Sequence, residues 1–363
     1  VDHPIVDFYW VTQEGASMSQ IQQRKDDHLR ICLEEEVGTE VSTGLGGFRL
    51  EYDALPEIDL EDVDLSVEIL GRRLQAPLLI GSMTGGSPWA GEINHRIARV
   101  AERLGLGMGL GSQRAMLKDP ALSETFAVRK TAPELPLLLG NIGAVQLGLG
   151  VGLSELQQLV HSVKADALFF HLNPLQEAIQ PEGDTQFRGL WGKMHEAIQA
   201  LGIPCIAKEV GSGISERTAE KLARLPLAGV EASGVGGTSW ARVEAYRAPA
   251  QSTSAVLGQR LRAFGTPTAE SILHCRKHFP TRLVIGSGGI RTGMDIAVAL
   301  ALGADAVALA QPVLQAATQS EEALESFLRE LIHELKVLCF CTGASDIAAL
   351  RKVRLLPIGR HHA

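Results

Sequence analysis

The sequence predicts an α/β fold, a (β/α)8 barrel with an N-terminal arm and cap, and three observations carry that prediction. Its 363 residues exceed a typical domain of about 150, yet they suit one barrel of about 250 with extensions. Hydrophobic residues make up 45% and charged residues 21%, so a sizeable core is available and a disordered chain is excluded. From residue 76 onward, short apolar runs alternate with amphipathic segments, the pattern of strand–helix units whose parallel strands are buried on both faces.

The apolar runs predict strands over 77–83, 106–112, 136–142, 167–172, 205–210, 229–233, 283–287 and 306–310. Helices are expected over 92–104, 155–163, 190–201, 216–225, 268–279 and 294–302, with 321–341 closing the barrel as its last helix. Eight such units favour a closed barrel over an open doubly wound sheet. Residues 76–342 form this barrel, 18–75 the more charged arm and cap, and 343–363 a tail, basic and loose from 351. Residues 1–17 read as an extension, with Met18 a candidate start. They have no basic start or apolar run, so they are not a signal peptide.

Charge and cysteine content exclude several classes. The net charge of −8 gives no global field for nucleic acid, so an anionic ligand needs a local cluster of cations. Residues 135–153 are uncharged and reach the length of a membrane span, but Pro136, Asn141, Gln146 and repeated glycine break them into strand, turn and helix start. Five scattered cysteines argue against a disulfide framework and fit a reducing cytoplasm. Cys339 and Cys341 lack further ligands at zinc spacing and read as helix packing.

A barrel builds its active site at the carboxyl ends of its strands, where this sequence places polar groups or glycine. The most informative segment is Gly286-Ser287-Gly288-Gly289-Ile290, a helix after it, and then the strand that ends at Ala310-Gln311. Gly288 and Gly289 let backbone N–H groups approach a phosphate, and the helix after them adds its positive end. Two ordinary glycine turns are the alternative. Lys208 ends the fifth apolar run, where a lysine is costly unless it faces an anion; an ion pair with Glu209 or another acid is the alternative. Adjacent strand residues face opposite sides, which disfavours Glu209. After the fourth strand come His171, Asn173, Gln176 and Glu177; Glu177 could ligate Mg2+ through one oxygen or be a solvated loop acid. Arg114 follows a buried strand and suits phosphate, whereas Arg24 and Lys25 alone read as a solvated charge run.

Taken together, these segments resemble the flavin-dependent, type II isopentenyl diphosphate isomerases. The resemblance runs from about Arg24 to the last barrel helix and rests on Arg24-Lys25-Asp26-Asp27-His28, Met83-Thr84-Gly85-Gly86, Gly111-Ser112-Gln113-Arg114, His171 to Glu177, Lys208-Glu209-Val210-Gly211, Gly236-Gly237-Thr238-Ser239-Trp240 and Gly286-Ser287-Gly288-Gly289. It implies a barrel that uses reduced FMN and Mg2+ to interconvert isopentenyl and dimethylallyl diphosphate for isoprenoid biosynthesis. NADPH as reductant, a cytoplasmic location and a homo-oligomer of four or eight subunits come with it. Ser82, Met83, Thr84, Ser112, Asn141, Lys208, Ser233 and Thr238 would hold the flavin, and Gly288, Gly289, Ile290, Ala310 and Gln311 its phosphate. Arg24, Lys25, Ser112, Gln113, Arg114 and Gln176 would meet the substrate, with Glu177 on the metal and His171, Asn173, Gln176 and Lys208 at the chemistry.

The neighbouring FMN barrels that oxidise 2-hydroxy acids share the Gly-Gly-Ile-Arg segment but need a histidine base near the end of the sixth strand. Residues 233–238 hold none. Inosine monophosphate dehydrogenase would need a loop cysteine there, also missing. A flavin-binding protein without catalysis is the third alternative.

Overall fold

In the computed structural model, which describes residues 20–358, eight parallel strands close into a barrel. In chain order they are β1 (Leu78–Ile80), β2 (Gly107–Gly109), β3 (Leu137–Gly143), β4 (Ala167–Leu172), β5 (Cys205–Glu209), β6 (Gly229–Glu231), β7 (Leu283–Ser287) and β8 (Ala306–Leu309). The ring closes where β8 pairs with β1, Val307 opposite Leu78 and Leu309 opposite Ile80. The expected extension and Met18 lie outside the described residues, as do residues 359–363.

Several strands end earlier than their apolar runs. Ser233 adopts φ 42°, a left-handed conformation that stops β6, and its carbonyl accepts the N–H groups of Gly211 (3.0 Å) and Gly213 (2.9 Å). After Gly109 the chain turns toward the β1 loop: Gly111 N donates to Thr84 O at 3.0 Å, and a Cβ on Gly111 would stand 2.3 Å from that oxygen.

Strand side chains alternate in direction, so each strand sends one set into the barrel and the other toward the helices. Leu79, Leu137, Leu139, Phe169, Ile206 and Ile285 fill the lower interior. A hairpin, Val67–Ile69 with Arg72–Leu74, adds Ile69 and Leu74 to this cluster and closes the barrel from below. One inward position higher, the residues change character: Asn141, His171, Lys208, Glu231 and Ser287 stand where the layer beneath is apolar. That change of layer is the base of the site.

The arm is helix α1 (Gln20–Glu34), which packs on helices Pro88–Arg103, α2 (Trp240–Arg247) and α3 (Gln311–Gln319). The tail corrects the expectation of a loose end. Leu355–Pro357 pairs antiparallel with Phe48–Leu50, and Arg351 Nη1 meets Asp305 Oδ1 at 2.7 Å. Val353 and Leu355 pack on the core, which makes this a strand despite its basic residues.

Candidate active site

A cleft of about 1250 Å3, part of it open to solvent, lies at the carboxyl ends of the strands under α1. A recess of about 590 Å3 adjoins it and shares Ser82, Lys208, Thr238, Ala310 and Gln311. Met83, Thr84, Ser112 and Asn141 line the cleft, and Ser233, Gly288, Gly289 and Ile290 line the recess.

The recess has the form of an anion cup. Gly288 (φ 102°) and Gly289 (φ 73°) approach the β6 loop so closely that a Cβ would stand 2.2 Å from Gly234 O or 2.4 Å from Gly236 O. Among the described residues, nothing pairs with the N–H of Gly289 or Ile290. The expectation that the helix after β7 adds its positive end is corrected. Its capping box, Thr292 with Asp295, and the carboxylate of Glu334 on Gly293 N and Met294 N already occupy those N–H groups. The helix end that lines the cup is that of α3, entered at Ala310 without a side-chain cap.

Lys208 is paired, but with a residue that sequence reasoning passed over. Its Nζ contacts Glu231 Oε1 across the β5–β6 register, while Glu209 points away and its Oε2 accepts N–H groups of Val210, Ser212 and Gly213. Burial pushes the Glu209 carboxyl up to about 7 against those three bonds.

His171 Nδ1 lies 2.8 Å from Asn141 Oδ1, and Asn141 Nδ2 donates to Leu110 O at 3.0 Å. The amide oxygen must therefore accept, so His171 carries its proton on Nδ1 and offers Nε2 as an acceptor. Burial, with Lys25, Lys208 and Arg114 nearby, takes its pKa down to about 3. At neutral pH His171 is therefore a neutral imidazole with Nε2 free to accept.

On the rim, Asn173 Nδ2 donates to Gln176 Oε1 (3.0 Å) and Glu177 Oε1 (2.9 Å), and Asp184 N donates to Glu177 Oε2 (2.7 Å). Gln176 Nε2 in turn donates to Glu244 Oε1 at 2.9 Å. Glu244, fully buried on α2, also meets His28 Nε2 (3.0 Å) and Arg247 Nε (2.8 Å). Burial raises its pKa, but the bonds from His28 and Gln176 and the charge of Arg247 outweigh that and hold it near about 2. Sequence reasoning missed both Glu244 and α2; the one signal was an acid four residues after Trp240, on the same helix face.

Three cations stand at the mouth. Arg24 and Lys25 come from α1 and line the cleft, which overturns the solvated-run reading. Arg114 Nη1 is held by Asp184 Oδ2 at 2.6 Å. With its amide turned to satisfy both neighbours, Gln180 accepts from Arg24 Nη1 (3.2 Å) and donates to Glu244 (2.9 Å). Gln113 is the exception among the expected residues. It is fully buried outside the cleft, its amide spent on Leu159 O (3.1 Å) and Asn141 N (2.8 Å).

Burial, then Arg24 and Arg114, takes Lys25 down to about 8. A bound dianion favours its protonated form, so affinity for inorganic pyrophosphate should fall as pH rises through about 8. Calorimetry across that range should show the fall, and Lys25→Met should flatten it; identical profiles would remove Lys25 from the anion site.

The residues present fit a flavin and a metal. Ser82 Oγ and Thr84 Oγ1 are buried with no partner among the described residues, as a cavity wall awaiting a polar ligand requires. Each Glu177 oxygen accepts one hydrogen bond and keeps a lone pair, and no cluster of three His, Cys, Asp or Glu side chains occurs among the described residues. One carboxylate beside a phosphate site suits Mg2+.

The family model for FMN-dependent dehydrogenases matches residues 157–356. A Synechococcus isopentenyl-diphosphate delta-isomerase is 51% identical over 342 residues, covering 94% of this chain and 98% of the relative. The enzyme of that name from Deinococcus radiodurans is 47% identical, with 91% and 97% covered. Among solved structures, a mandelate oxidase variant with an FMN adduct superposes with TM-score 0.64 at 20% identity, covering 94% of this chain and 100% of that one. A lactate oxidase from Pediococcus acidilactici gives 0.64 at 17%, covering 92% and 87%, and at such identity these two speak for the fold alone. The chain belongs to the isopentenyl-diphosphate delta-isomerase family, on the barrel of the FMN-dependent dehydrogenases.

Proposed function

We propose that this chain interconverts isopentenyl and dimethylallyl diphosphate using reduced FMN and Mg2+, with no net electron transfer. The observation that carries the reading is one cleft with three cations at its mouth and a glycine-lined anion cup beside its floor. Arg24, Lys25 and Arg114 stand at its mouth, Gln176 is fixed between Asn173 and Glu244, and the Gly288–Gly289 cup adjoins its floor. The 2-hydroxy acid oxidase reading is not favoured, since residues 233–238 carry no histidine and burial beside Lys25, Lys208 and Arg114 makes His171 a weak base.

When bound, reduced FMN supplies an exchangeable proton and negative charge beside an unactivated alkene, and Mg2+ supplies charge to the diphosphate. The protein's part is placement. The three mouth cations hold the diphosphate, and Glu177, oriented by Asn173 and Asp184 N, takes the metal. Lys208 would set a positive charge against the bound flavin, His171 Nε2 would accept a hydrogen bond from it, and Gln176 would present its amide to the substrate's allylic carbons. Helix α1 covers the mouth and excludes water.

NADPH is the proposed reductant and a homo-oligomer of four or eight subunits the proposed assembly. A cytoplasmic place is supported by five unpaired cysteines, and no described helix is long and apolar enough to cross a membrane. Anaerobic turnover of isopentenyl diphosphate in deuterated water tests the reaction. Deuterium should enter the product while the reduced-flavin spectrum persists over many turnovers. Flavin reoxidation in step with product would reject the isomerase reading.

A further inference from the structure

Beneath the cleft, Lys208 and Glu231 face each other on neighbouring strands. Glu231 is 1% exposed; its Oε1 takes Lys208 Nζ and the hydroxyl of Ser287 (2.9 Å), and its Oε2 has no partner among the described residues. Ser287 Oγ accepts from Ser233 N at 3.0 Å, so the carboxylate is pinned from β7 as well as from β5. Both members of the pair line the recess that holds Gly288 and Gly289.

We propose that Glu231 is a positioning residue that fixes the Lys208 ammonium and, by its own charge, tempers how strongly that ammonium favours a reduced, anionic flavin over the oxidised one. The inference rests on the flavin reading above. Reduction to the anion adds one negative charge at the floor, and a lone buried cation would favour that state strongly, since charges interact strongly in a poorly solvated site. A carboxylate in contact with the cation cancels much of that preference. Lys208 then supplies direction and a donor, while Glu231 keeps both flavin states within reach. An unpartnered Oε2 in a 1% exposed side chain fits this role, because a purely structural acid would have both oxygens bonded.

The test is a redox titration of the FMN-loaded protein. Glu231→Gln keeps the side chain's shape and leaves an amide oxygen to accept from Lys208, so only the charge is removed. Relative to wild type, it should favour reduced over oxidised flavin about tenfold more, which is about 30 mV upward for a two-electron couple. Glu231→Asp keeps the charge but draws it back by one methylene, so it should move the potential the same way by less. An unchanged or lowered potential in flavin-loaded variants overturns the proposal, and so do folded variants of both kinds that take up no flavin. Wild-type protein that binds no FMN would instead sink the flavin reading itself.

Discussion

Lys208→Ala should cost the protein about 3–5 kcal/mol of unfolding free energy and strip it of flavin, because it strands a carboxylate with almost no solvent. In the Lys208–Glu231 pair the side chains are 8% and 2% exposed, so water cannot replace the lost ammonium. What remains on Glu231 is the single hydroxyl of Ser287. Urea denaturation should show a lower midpoint with unchanged slope, and flavin content after gel filtration should fall toward zero. Combining the change with Glu231→Gln should recover much of the stability but not the flavin, since the stranded charge is gone while the cation is still missing. A loss below about 1 kcal/mol would place the pair in the range of solvated ion pairs.

Glu244→Ala is expected to lower kcat on the order of 100-fold while flavin stays bound. The carboxylate is the common acceptor for Gln176, His28 and Arg247, and among the described residues no other acid bonds either of the first two side chains. Without it Gln176 loses one of its two fixed ends, and a small displacement of a reacting group costs far more rate than stability. Steady-state kinetics with the flavin spectrum recorded in parallel separates the effects. An unchanged kcat would mean that Asn173 alone orients the amide.

The barrel was legible because strands buried on both faces read as unbroken apolar runs between glycine turns, and Leu137–Gly143 and Leu283–Ser287 are strands of that kind. Their upper ends were less so. A hydrophobic run says nothing of where a loop pulls the chain out of register, as at Ser233 and Gly111. The cleft's cations and glycines were legible as types of residue after strands. Their partners were not: Glu231 stands 23 residues from Lys208 and Glu244 216 residues from His28, so only the closed barrel and the seated arm bring each pair together. Gln113 failed for the opposite reason. Its place between Ser112 and Arg114 suggested a shared role, but its side chain turns into the layer between β3 and the helices.

The pairing of Phe48–Leu50 with Leu355–Pro357 also sets an order of assembly. At about 5–20 residues per second, a ribosome makes the second strand roughly 15–60 seconds after the first. Most of what seats the arm, α2, α3 and that last strand, is likewise translated late; helix Pro88–Arg103 alone is made early. Through most of synthesis the arm therefore has one of its three helical partners, Pro88–Arg103, to rest on. Arg24 and Lys25 reach the mouth only after the barrel beneath them has closed, and a nascent chain stalled short of Leu355 lacks the strand that ties Phe48–Leu50 in place.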